Sequence, residues 1–175
     1  VDLADATSTA PDELALWCAT HGITFVETTS DMAAVNRLRK LALPADATGA
    51  IVLGAGIFTG LSNLLANAVA RAANASSLVL GIRTSPFSGA GKGTIALMAS
   101  MLSINALSTV EGRETEHPPV GKGPRLPFAT GEAPSLRVPM AEEVMLPSST
   151  GVANIDVYFA PKPSLLVASF RSLPF

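Results

Sequence analysis

From residue 47 to residue 70 the chain carries no charged side chain, and glycines at 49, 54, 56 and 60 punctuate the apolar run G-A-I-V-L-G-A-G-I-F-T-G-L-S-N. A second uncharged stretch covers 93–110. Segments like these must be buried, either in lipid or in a protein core. The first is long enough to cross a bilayer, and Gly56 and Gly60 have the spacing of a membrane packing motif. Yet Thr59, Ser62, Asn63 and Asn67 dilute its hydropathy. Aromatic belts and flanking basic clusters are lacking. The stretches read as two buried elements of a soluble core, with no membrane partner.

Composition agrees. Apolar residues make up 48% of the 175 and charged residues 15%, enough to build a substantial core. The net charge is −2, without a run of Lys or Arg, which argues against a nucleic-acid or anionic-membrane surface. The single cysteine, Cys18, excludes an internal disulfide and suits a reducing, cytoplasmic setting. His21 and His117 lack metal-ligand spacing, so no metal is expected.

The periodicity changes along the chain. A helix is expected from Pro11, with Asp12 and Glu13 at its positive end and Leu14, Trp17 and Cys18 as its apolar stripe. Gly22 ends it, with His21 at the C-terminal cap. Residues 23–27 read as a strand. Asp31 caps a second helix on which Met32, Val35 and Leu38 share a face, and which Pro44 stops. Residues 49–53 are a strand. Gly60 to Ala73 is helical, with Leu61, Leu64, Leu65, Ala68, Val69 and Ala72 on one stripe. This alternation predicts a parallel α/β unit over 1–73. Beyond a boundary near 73–77 the style changes. Strands at 77–85, 106–114, 125–130, 135–140 and 154–160 follow one another, with a largely buried helix at 94–103 and a short one at 141–145. That predicts an α+β unit over 74–175 with a mixed or antiparallel sheet.

Two glycine loops are candidate sites. Gly54-Ala55-Gly56-Ile57-Phe58-Thr59-Gly60 lies between a strand and a helix, where a dinucleotide pyrophosphate would approach a helix N-terminus. Its spacing is one residue longer than the usual fingerprint, and a strand-to-helix turn needing glycine for sterics alone explains it equally. The following strand ends at Arg83, which could accommodate a ribose phosphate, rather than at an acidic residue. The second loop, S-P-F-S-G-A-G-K-G-T, is similar to the phosphate loop of nucleoside monophosphate kinases. Pro86 falls where the first glycine belongs, and no apolar run ending in Asp follows. A nucleotide kinase is the outside reading.

The segments C-A-T-H-G-I-T-F-V-E, V-L-G-A-G-I-F-T-G-L-S-N-L-L-A, S-G-A-G-K-G-T-I-A-L-M and P-S-S-T-G-V-A-N-I-D-V-Y-F-A stand in the order and spacing of the saccharopine dehydrogenase-like oxidoreductases, and the chain resembles that family over most of its length. The resemblance implies the later part of a Rossmann-like nucleotide-binding domain, then a domain similar to the catalytic domain of glyceraldehyde-3-phosphate dehydrogenase. The 54–60 turn becomes the crossing between them, on the rim of a cleft. Both ends read as cut from a longer protein, with the principal Gly-rich fingerprint upstream. NAD or NADP is the implied cofactor, poorly held by this chain alone, and hydride transfer the implied chemistry. The candidate cofactor contacts are Gly54, Gly56, Phe58, Thr59 and Gly60. The candidate substrate contacts are Asn63, Arg83, Ser88, Gly89, Lys92 and Thr94, facing a small molecule. A homo-oligomer is expected. A non-catalytic dimerisation module is the alternative.

Overall fold

The computed structural model describes residues 11–85 and 92–167, with side chains from residue 96 onward in the second stretch. The first half alternates as its pattern demands. Helix α1 (Pro11–Thr20) leads to strand β1 (Phe25–Val26), helix α2 (Met32–Arg39) and strand β2 (Ile51–Val52), and β1 and β2 pair in parallel. Asp31 caps α2 by accepting the N–H groups of Ala33 and Ala34 at 3.1 and 3.3 Å. His21 Nδ1 lies 2.8 Å from the Trp17 carbonyl oxygen, at the C-terminal end of α1. Cys18, Ala15, Phe25 and Leu38 pack together beneath β1 and β2. The stripe expected on α1 is only partly buried. Trp17 is half exposed and stacks on the His21 ring instead.

A kinked five-residue turn, 57–61, feeds helix α3 (Ser62–Ala73). Asn74 closes α3 in the left-handed region. Strand β3 (Ser77–Thr84) follows, then helix α4 (Lys92–Met101), strands β4 (Ala106–Val110), β5 (Arg113–His117), β6 (Gly121–Phe128) and β7 (Gly131–Arg137), helix α5 (Ala141–Thr150) and strand β8 (Asn154–Pro161). The stretch read as one strand over 106–114 is a hairpin. Glu111 and Gly112 both take positive φ between Val110 and Arg113, the geometry of a two-residue turn that suits strand twist. The helix expected at 141–145 runs on to Thr150 through Pro147.

These strands form a six-stranded mixed sheet centred on β8. Strand β3 runs parallel to β8 along its whole length, Ser77 opposite Asn154 and Thr84 opposite Pro161. The other edge of β8 is shared: β4 meets it at Ile155 and β7 at Phe159, both antiparallel. Leu78, Leu80 and Ile82 of β3 lie opposite Ile155, Val157 and Phe159 of β8. This face packs against Ala66 and Ala70 of α3 and Leu146 of α5 to make the main core. Helix α5 also carries Val144 and Ala141 against Val35 of α2, so it joins the small parallel sheet to the large one.

Two helices depart from expectation. The sequence predicts burial of α4 against the sheet, but none of its described side chains, from Ala96 onward, is buried. On α3 the face inverts. Its buried residues are Asn63, Ala66 and Ala70, while Leu61, Leu64, Leu65 and Val69 are 50–71% exposed. The small residues allow α3 to lie close to the sheet and α5, and the large apolar stripe points away.

Candidate functional site

Leaving β2, the chain turns at Gly54, whose φ is +66°. The Ala55 N–H donates to the Glu27 carbonyl 2.9 Å away, which ties the turn to the end of β1. Phe58 and Thr59 then break helical geometry, and Thr59, fully buried, sits at φ +69°. A β-branched residue in that region is strained, so something must hold it. Glu142, at the start of α5, does so. Its Oε1 accepts the Thr59 N–H and the Ser62 hydroxyl, each at 2.8 Å. The Asn63 amide donates to the Thr59 carbonyl, and the Ser149 hydroxyl reaches the Asn63 carbonyl oxygen at 3.5 Å. A Cβ on Gly60 would lie 2.3 Å from the Gly54 carbonyl oxygen. Both ends of the turn are therefore in backbone contact, and glycine is a steric requirement at position 60.

This turn walls a cavity of about 530 Å³. It lies beyond the carboxyl ends of β1 and β2, where open α/β sheets place ligands. Met145 and Ser149 of α5 close one side, and Leu61 of the turn with Leu64 and Asn67 of α3 another. Its lining carries no charged side chain among the described residues. The cavity can hold an apolar or amide-bearing group, and among the described residues no cation faces it.

Of the candidate residues, Gly54, Gly56, Thr59, Gly60 and Asn63 come together here. Phe58 belongs to the turn but not to the cavity wall, and its side chain is 40% exposed. Arg83 lies elsewhere. It donates to the Thr130 hydroxyl at 2.9 Å and the Gly131 carbonyl at 3.4 Å, over the Phe128 ring, so the β6–β7 turn engages it. Ser88 and Gly89 lie outside the described residues. So do the side chains of Lys92 and Thr94, whose backbone begins α4.

The residues that sequence reasoning passed over are on α5. Glu142 and Glu143 are both buried. Glu143 Oε2 accepts the Leu107 N–H at 2.8 Å. Burial pushes its carboxyl up to about 8, against the opposing pull of the Leu107 and Met140 backbone and of Arg137. The available signal was two adjacent carboxylates inside the otherwise apolar V-P-M-A-E-E-V-M-L.

A second polar group occupies the opposite face of the large sheet. Arg137 donates to Asp156 at 2.5 Å and to the Tyr158 hydroxyl at 2.7 Å, and its guanidinium stacks over the Tyr158 ring. His117, expected in an exposed loop, ends β5 half-buried, with Nε2 2.8 Å from the Ser108 hydroxyl. Burial, then the nearby Arg137 charge, pulls its pKa below the ordinary imidazole value. Among the described residues no group of three or more His, Cys, Asp or Glu is placed to hold a metal ion, and no helix is long and apolar enough to cross a membrane. No protein-family model matches the chain, and no curated protein matches its sequence.

Proposed function

We propose that this chain is the substrate-side portion of an NAD(P)-dependent oxidoreductase resembling saccharopine dehydrogenase. On this reading 1–73 is the later part of a Rossmann-like domain. Residues 74–175 are a substrate-binding unit similar to the catalytic domain of glyceraldehyde-3-phosphate dehydrogenase, working in the cytoplasm. The observation that carries the reading is the cavity beyond the carboxyl ends of β1 and β2, walled by the 54–60 turn. A nicotinamide cofactor would supply hydride chemistry. The chain's own residues have narrower tasks. Glu142 fixes the turn, Asn63 and Ser149 brace it from α3 and α5, and Asn67 and Met145 line the wall. Among the described residues the wall is apolar and amide-bearing, which suits the uncharged end of such a cofactor.

Two results are therefore expected together. Titrating NADH or NADPH and following its fluorescence should give affinity weaker than roughly 100 μM, a loss of several kcal/mol against a complete site. At millimolar cofactor, amide resonances of Gly54, Gly56, Gly60 and Ser149 should shift while those of the β4–β5 hairpin stay still. Sub-micromolar binding would make the 54–60 turn a complete dinucleotide fingerprint. Unmoved resonances at the turn would remove the cofactor reading and leave the non-catalytic module.

A further inference from the structure

We propose that the outward face of α3 is a homodimer interface, on which a second copy of this chain packs its own α3 antiparallel. The stripe consists of Leu61, Leu64, Leu65 and Val69, with Ala68 and Ala72 between and beyond them, and Ile57 and Phe58 are exposed on the turn that leads into it; the six large residues are 40–74% exposed. At those exposures the six residues together present roughly 700 Å² of surface, most of it side chain, close to the ~800 Å² per partner of a standard interface. That is above the roughly 300–600 Å² of the largest patch on an ordinary monomer.

Three features choose a second copy as the occupant. The face carries no charge from residue 57 to residue 70, and Arg71 stands at its far end, so an antiparallel pair keeps the two Arg71 side chains at opposite ends of the contact. Its side chains are graded, with large ones over 57–65 and alanines and a valine over 68–72. An antiparallel partner about a two-fold axis therefore sets Leu61 and Leu65 of each copy against the small residues of the other, the self-complementarity an isologous contact requires. Finally, the face is continuous with the cavity, because Leu61 and Leu64 belong to both. The second copy covers the apolar rim beside the cavity's α3 wall.

Sedimentation velocity over a concentration series of the 175-residue chain tests this. The expected result is a dimer with Kd of roughly 10 μM or tighter. Leu65→Glu and Val69→Glu lie on the face but not in the cavity wall and, being exposed, should leave the fold intact. Each should weaken dimerisation at least about 100-fold, since each buries two unpaired carboxylates across the axis. Val79→Glu, at an exposed position on the sheet, should leave the dimer unchanged. A monomer at every concentration up to about 100 μM overturns the proposal and gives the face to another occupant. A dimer that survives Leu65→Glu and Val69→Glu, or that Val79→Glu abolishes, overturns it equally.

Discussion

Raising the pH from about 5 to about 8 is expected to destabilise the chain by up to ~3.5 kcal/mol through Glu143 alone, because at 1.36 kcal/mol per pH unit about 2.6 of the ~3.5 units between the two pKa values are lost in that window. The sign follows from the direction of the shift. Burial raises the folded-state pKa of Glu143 from the ordinary 4.5 to about 8. The native state therefore holds a proton that the unfolded chain releases above about pH 4.5. The stabilisation is complete below that value and is lost as pH rises through about 8. The magnitude is an upper bound, because relaxation around a buried carboxylate reduces it. Urea unfolding at a series of pH values reads the slope. Glu143→Gln keeps an oxygen to accept the Leu107 N–H and cannot ionise, so its profile should be flatter than the parent's by most of this amount. Parallel profiles for the two proteins would show that Glu143 is ionised in the native state.

Gly60→Ala is expected to cost about 3 kcal/mol or more, in the range of severe backbone overpacking. The added methyl would meet a carbonyl oxygen of the chain itself, at Gly54, and not a side chain that could swing away. Neither partner is free to yield. Ala55 is tied to Glu27 and Thr59 is tied to Glu142. Gly112→Ala is the matched control. Gly112 has φ +77° and a methyl added there would meet nothing within 4 Å, so only conformational strain applies, about 1–2 kcal/mol. Denaturant midpoints of the two variants separate steric from conformational cost. An equal or smaller loss for Gly60→Ala would mean that the turn is not held between β2 and α5 as described.

The order of α and β elements was legible because each is specified locally. Asp31 announces the cap of α2, and the β-branched runs at 23–27 and 49–53 announce the two short parallel strands. The outward stripe of α3 shows where that legibility ends. A period of 3.6 identifies a face but not what covers it, and here Ala66 and Ala70 take the protein side because close packing favours small residues. The glycines of the site were readable as a turn. Their partner was not, since Glu142 meets Thr59 across 83 positions of sequence and nothing local marks the pair. The same holds for Glu143 and Leu107, 36 positions apart. Arg83 misled because position at a strand's end says nothing of which way the next loop folds.

The place of β8 has a consequence for how the chain is made. The last of the described strands is the one on which β3, β4 and β7 converge. As synthesis proceeds, the helices and the β4–β5 and β6–β7 hairpins can form from local contacts and β1 can pair with β2, but β3 has no sheet neighbour until Asn154–Pro161 has emerged. Closure then pays the loop entropy of joining strands far apart in sequence, a slow step by contact order. Until it happens, Leu78, Leu80 and Ile82 lack their cross-strand partners, and β3 presents both backbone edges for mispairing. A nascent chain stalled before residue 154 therefore exposes two open edges of β3 to mispairing, whereas in the completed sheet β8 occupies one of them.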